Sequence, residues 1–331
     1  MTKNVGKTVT LNYLIDNFSR SGTRLGLLSA GYDGERFDRL TLREKPRIFA
    51  PAGAVVATAA ACFEASEAVL DLLLISSFCT PLGEVYIGRV KEAGLIELAG
   101  PGNAAALRAL MDQMKEFHAE QILLDGAINR IASASPFITG ATILATGASL
   151  GQSLDDVVGK TIFRCNILET PVVEDSLLLK VARKSLDRGE AALLCNIGGT
   201  WDAEILHAPI PLLVKTQLIR KYRKEAMAVV LKGALIDEML LEISKLSLPP
   251  PAVIISDATK SFVTPGVYNR YLQRGGKVAV LQPIKLLAIT VNPTNPAGSG
   301  YEPRKFLRKL RTALAPRPVF DLIFEGDAAI V

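Results

Sequence analysis

Histidine is almost missing from this chain of 331 residues: only His118 and His207 occur, and neither has a metal-ligand neighbour at useful spacing. Zinc chemistry and a histidine-driven nucleophile are therefore not expected. Aromatic residues make up 6%, and none interleave regularly with the basic residues, which argues against nucleic acid as a partner. Cys62, Cys79, Cys165 and Cys195 form no CxxC pair and are expected as reduced thiols of a cytoplasmic protein. Uncharged membrane-length runs are also missing. The most apolar stretch, 52–76, is broken by Glu64, Glu67 and Asp71 on one helical face, so it is predicted as an amphipathic core helix and no membrane partner is expected. A polar motif stands at the N-terminus where a secretory signal would place an apolar segment.

What is present is ordinary globular material, 49% hydrophobic and 21% charged, with a net charge of +5 and a length that suggests two domains. The basic excess gathers in Arg304, Lys305, Arg308, Lys309, Arg311 and Arg317 and around Lys215 to Lys224. These segments read as solvated helix faces.

The first ten residues, MTKNVGKTVT, hold the most informative feature. A phosphate-binding loop needs a glycine where the backbone curls around phosphate oxygens, a lysine to reach the β/γ-phosphates, and a hydroxyl for Mg²⁺. Gly6, Lys7 and Thr8 supply these in order. Lys7 is the candidate catalytic lysine and Thr8 a candidate metal ligand. Asn4, Val5, Gly6, Lys7, Thr8 and Val9 form the candidate nucleotide cradle. A chance tripeptide opening a surface helix is the competing reading. Against it, Val9, Leu11, Leu14, Ile15 and Phe18 fall at helical spacing directly behind Thr8, and a helix N-terminus adds its own amides and partial positive charge at a phosphate. The opening glycine of the usual pattern would fall at Met1, and the strand before the loop would lie earlier still. The natural protein is accordingly expected to begin upstream, with a short apolar strand and a glycine.

Short apolar runs alternate with helical patterns along the chain, which predicts an α/β protein with a parallel sheet: a P-loop NTPase domain over 1–162, then a second α/β domain over 163–331. The runs Arg24–Ser29, Leu72–Ser76, Gln121–Leu124 and Thr142–Ala145 read as the first strands. Ligands in such sheets sit at the carboxyl ends of strands. Asp33 follows the first run, in Gly31-Tyr32-Asp33-Gly34-Glu35, and suits a direct or water-mediated Mg²⁺ ligand, although an Asp-Gly turn explains it equally. Asp125 ends the third run before Gly126 and is the candidate Walker-B-type carboxylate, holding metal or the attacking water.

Asn4-Val5-Gly6-Lys7-Thr8-Val9, Asp125-Gly126-Ala127 and Thr146-Gly147-Ala148-Ser149-Leu150-Gly151 together resemble the P-loop branch that contains dethiobiotin synthetase, the cobyrinic acid synthetases and the nitrogenase iron protein. The likeness covers roughly the first 160 residues. It implies ATP as ligand, with GTP still open, and Mg²⁺ as cofactor. In the synthetases the strand matching Gln121–Leu124 ends in glutamate rather than aspartate. Their substrate-positioning lysines and hydroxyls also lack a clear counterpart around Ser133, Ser135 and Thr139, so the reaction does not transfer with the fold. Nitrogenase-type relatives carry a second, signature lysine near the start of the loop, which implies a nucleotide contact for Lys3, although a solvent-facing loop residue explains it too. Many relatives also dimerise across the nucleotide site, which makes a homodimer an expectation. The segment Ile122 to Arg130, with Gly31 to Glu35 and the two-domain length, further resembles the ATP-binding accessory proteins of lysine 5,6-aminomutase and ornithine aminomutase in amino-acid fermentation. That likeness implies an aminomutase partner protein, maintained or reactivated by ATP turnover.

In the second half, Ala191–Ile197, Met227–Leu231, Ala252–Ser256, Lys277–Leu281 and Leu286–Val291 read as strands. Asn196 stands at a strand end where synthetase relatives read a nucleotide base. Asp257-Ala258-Thr259-Lys260 suits either an anion contact or a capped turn. Three functions follow from these readings: an ATPase accessory to a partner enzyme, an ATP-dependent ligase acting on a small carboxylate, or a non-catalytic nucleotide-binding scaffold.

Overall fold

The computed structural model describes residues 4–31, 47–126, 134–206, 217–218, 221–222, 226–295, 298 and 300–325. The chain divides into two units, Met1–Ile162 with Leu287–Val331, and Phe163–Leu286. Each is mixed α/β, with both parallel and antiparallel pairing.

The first unit opens with helix α1 (Lys7–Arg20), whose buried Thr10, Leu11 and Ile15 form its inner stripe. Strand β1 (Leu25–Ala30) follows and is buried along its whole length. Next come β2 (Ile48–Ala50), β3 (Val55–Ala59), the short α2 (Ala60–Glu64), β4 (Val69–Thr80), β5 (Gly83–Glu92) and β6 (Gly94–Ile96). Helix α3 (Ala104–Glu116), β7 (Gln121–Gly126), β8 (Thr142–Gly147) and α4 (Leu154–Leu168) complete this stretch. The main sheet has the order β4-β5-β3-β1-β7, with β1 parallel to β3 and β7 and with β5 antiparallel to its neighbours. Strand residues alternate faces, so Leu25 and Leu27 of β1 pack with Leu11 and Ile15 of α1. Leu28 and Ala30 pack on the other side with Leu107, Leu110, Met111 and Met114 of α3. Helices thus cover both faces of the parallel core.

The amphipathic helix expected over 52–76 is not formed. That stretch is β3, α2 and the start of β4, because β4 folds back on β5 as a hairpin and β3 lies parallel to β1. The acidic residues that suggested one helical face serve separate elements: Glu67 pairs with Arg47, and Asp71 pairs with Lys91 of β5 at 2.9 Å.

The second unit carries α5 (Ser176–Asp187), β9 (Ala191–Ile197), β10 (Thr200–Leu206), β11 (Ala226–Val230), β12 (Leu235–Ile236), α6 (Asp237–Ser244), β13 (Ala252–Ile255), β14 (Ser261–Phe262), α7 (Pro265–Gln273) and β15 (Val278–Val280). Its sheet runs β10-β9-β11-β13-β15, parallel across β11, β13 and β15 and antiparallel at the β9 end. Its core joins Ala182 of α5 to Leu194, Val230 and Ile254 of the sheet. Asp257 caps the 3₁₀ turn Ala258–Lys260, its Oδ1 accepting from the Thr259 amide at 2.9 Å. This is the capped-turn alternative for that segment.

The chain then returns to the first unit as β16 (Leu286–Asn292), α8 (Pro303–Leu314) and β17 (Val319–Phe320). Strand β16 lies between β17 and β8, so residues 287–331 group with the first unit and not, as expected from the sequence, with a domain running to 331. Strand pairing with β8 across the intervening unit is the cause. Helix α8 buries Phe306, Leu307, Leu310 and Leu314, while Arg304, Lys305 and Arg308 stay exposed. Among the described residues no helix is long and apolar enough to cross a membrane.

Candidate functional site

Helix α1 begins at Lys7, and the residue before it, Gly6, has φ +92°, a left-handed conformation that only glycine adopts at little cost. Gly6, at the N-cap position, has no side chain with which to cap the first turn, and no acidic residue lies within that turn. Its leading amides have no intrahelical acceptor, and the helix dipole adds partial positive charge there. Local chemistry alone therefore shapes an anion-receptive end: Gly6 turns the chain, Lys7 opens the helix with a cation, and Thr8 brings a hydroxyl.

The rest of the site comes from the far end of the chain. The Asn292 Nδ2 donates to the Asn4 carbonyl at 3.0 Å. The Thr10 hydroxyl donates to the Gly6 carbonyl at 3.0 Å and lies 2.8 Å from the Thr290 hydroxyl. Gly147, closing β8, fits between these parts: a Cβ there would meet the Asn292 carbonyl oxygen at 2.7 Å and Val5 Cα at 3.3 Å. Val5 is buried beneath the turn. The strand ends at Gly147 and Asn292 thus support the turn from below, and a small hollow beside it, walled by Val9, Thr290, Leu322 and Ile323, has room for little more than a water molecule.

The structure gathers Asn4, Val5, Gly6, Lys7, Thr8 and Val9 in this turn and first helical residues. It places Asp125 near the carboxyl end of β7, level with Ser29 of β1, in a strand against which α1 packs. Lys3 and Asp33 lie outside the described residues, as do Ser133 and His207. Ser135 is buried and its carbonyl accepts from the Ile138 and Thr139 amides in a turn. Asn196 is engaged within its own hairpin, where Oδ1 accepts from the Gly199 amide at 3.0 Å. His118 is exposed just past the end of α3.

Gly6, Lys7 and Thr8 are residue types that could receive a phosphate, and a carboxylate or hydroxyl here could help hold an accompanying Mg²⁺. Among the described residues no group of three or more His, Cys, Asp or Glu side chains is arranged for a metal, and Mg²⁺ ordinarily takes one or two protein ligands beside substrate oxygens. Thr8 and Asp125 are the groups suited to that role. Cysteine chemistry is not favoured at Cys62. Burial, reinforced by the charge of Glu97, pushes the Cys62 thiol up to about 11, so it stays protonated at neutral pH.

Thr290, Asn292 and Gly147 were not picked out as site residues by sequence reasoning. Asn292-Pro293 reads there as turn punctuation, and Gly147 as part of a Gly-x-x-Leu-Gly turn. In comparisons with protein-family models, curated protein sequences and solved structures, no match to this chain was found.

Proposed function

We propose that this chain is a Mg²⁺-dependent ATP-binding and ATP-hydrolysing accessory protein, with Asn4–Val9 as its phosphate-binding loop in a P-loop NTPase arrangement. The observation that carries the reading is the left-handed Gly6 immediately before Lys7 at the start of a 14-residue helix. Few other roles explain a glycine turn, a lysine at the first helical position and a first turn without acidic residues in combination.

In this reading the amides of Lys7, Thr8 and Val9 hold phosphate oxygens, and the Lys7 ammonium neutralises charge on the β/γ-phosphates as it develops. The Thr8 hydroxyl would help hold Mg²⁺, which would supply charge neutralisation to the phosphates. Asp125 orients the attacking water or completes the metal shell. ATP is preferred to GTP on the resemblance alone, because the loop reads phosphate and not base. Resemblance likewise suggests the use of turnover, shifting a conformational equilibrium in a cobalamin-dependent aminomutase partner.

The test is Mg²⁺-dependent binding and hydrolysis of ATP and GTP by the full chain and by Lys7→Ala, with and without an aminomutase. Binding lost in Lys7→Ala and slow hydrolysis stimulated by the enzyme are the expected results. Equal nucleotide binding by both proteins would remove the phosphate loop from consideration. Hydrolysis that depends strictly on a small carboxylic acid would replace the accessory role with a ligase.

A further inference from the structure

Asn4 has φ +60°, in the left-handed region that asparagine enters more readily than most residues with a side chain. One group that holds its backbone comes from β16. The Asn292 side-chain amide is pinned at both ends: Oδ1 accepts from the Thr294 amide at 3.0 Å, which leaves the NH₂ group facing the Asn4 carbonyl, where it donates at 3.0 Å. A backbone N–H can only donate, so this network fixes which way the amide points. Thr290 lies two residues earlier on the same strand and therefore on the same face, and its hydroxyl meets Thr10. The turn before α1 and the first turn of α1 are thus held at two points by alternate residues of one strand.

We propose that Asn292 is a positioning residue for the phosphate loop: its amide sets the Asn4 backbone so that the amides following Gly6 converge on phosphate. The inference rests on the phosphate-loop reading above, and it makes β16 part of the nucleotide site without any contact to the nucleotide.

The experiment measures binding of Mg·ATP and of Mg·inorganic triphosphate to the full chain carrying Asn292→Leu, Asn292→Asp or Lys7→Ala, with thermal unfolding recorded for each. Asn292→Leu keeps the size and removes the donor, so affinity for both ligands should fall by about three- to tenfold, the worth of one hydrogen bond. Asn292→Asp adds a readout that simple loss of packing would not move. Protonated, its carboxyl donates to the Asn4 carbonyl; ionised, it repels that carbonyl. Its affinity relative to wild type should therefore recover as pH is lowered from 8 to 5. A loss in Asn292→Leu confined to ATP, with triphosphate binding unchanged, would mean that Asn292 contacts the base or sugar and would overturn the positioning role. Unchanged binding of both ligands in Asn292→Leu, with binding lost in Lys7→Ala, would sink this inference alone. Triphosphate binding that survives Lys7→Ala would sink the phosphate-loop reading and the inference with it.

Discussion

The hydroxyls of Thr10 and Thr290 lie 2.8 Å apart although the residues are 280 positions apart in the chain. Both are buried, and this contact ties the first turn of α1 to β16. Thr10→Val strands the Thr290 hydroxyl and should cost about 1–3 kcal/mol, the usual penalty for an unpaired buried polar group. Replacing both threonines by valine should cost less than the two single losses combined. Urea unfolding of the four proteins in the cycle measures this, and strictly additive losses would show that the hydroxyls do not interact.

Two glycines should respond in opposite directions. Gly147→Ala places a methyl group 2.7 Å from the Asn292 carbonyl oxygen and 3.3 Å from Val5 Cα, so it should destabilise the fold and weaken Mg·ATP binding together. Gly159, in the exposed middle of α4, offers an added methyl group open space with no neighbour within 4 Å, and Gly159→Ala should stabilise by about 0.5–1 kcal/mol with binding unchanged. Melting temperatures and binding isotherms of the two variants check both signs.

Asp125→Asn tests the chemistry separately from the loop. Removing the charge at the carboxyl end of β7 should slow ATP hydrolysis about a hundredfold, with a much smaller change in Mg·ATP affinity. Hydrolysis at the wild-type rate would take Asp125 out of the site.

In the second unit, Asp175 accepts from the Leu177 and Leu178 amides at the start of α5 and from Trp201 Nε1 at 3.0 Å. The Leu178 amide, followed by Trp201, holds its carboxyl below the ordinary value of 3.8. A lowered carboxylate pKa contributes stability that is present above the unfolded value and is lost as pH falls through the folded one. The advantage of wild type over Asp175→Ala should therefore be full at pH 7 and should shrink below about pH 3.8. Trp201 is the only tryptophan in the chain, so its fluorescence reports the cap directly.

The four thiols should separate by accessibility. Cys79 is exposed on β4, whereas Cys62, Cys165 and Cys195 are buried. A thiol reagent at pH 8 should label one cysteine rapidly in the native protein and four after denaturation. Mass spectrometry of the labelled peptides should find Cys79 first, and rapid labelling of Cys62 would contradict its burial and its raised pKa.

Strand positions were readable where a buried strand is a compact apolar run bounded by turn residues. The runs Gln121–Leu124 and Thr142–Ala145 grow into β7 and β8 with two further residues each, and Ala191–Ile197 is β9 as expected. The stretch 52–76 misled as a whole because its apolar residues belong to two strands and a short helix, although the run Leu72–Ser76 within it reads as a strand and lies in β4, which pairs with β5. Pairing partners leave no periodic trace in the segment that needs them. The shared fate of 1–162 and 287–331 was hidden for the same reason, since the second unit separates β8 from β16 in the chain.

By itself the sequence determined the local features: a glycine before a lysine at the head of an amphipathic helix, apolar runs long enough for buried strands, and a carboxylate at the end of one of them. These depend on neighbours a few residues away, through backbone sterics and side-chain periodicity. Only the tertiary structure decided what supports the Gly6 turn, bringing Gly147, Thr290 and Asn292 against it, in Asn292's case across 288 positions. Such contacts are made by residues that share no local pattern, and they exist only once strand pairing and helix packing have closed the loops between them.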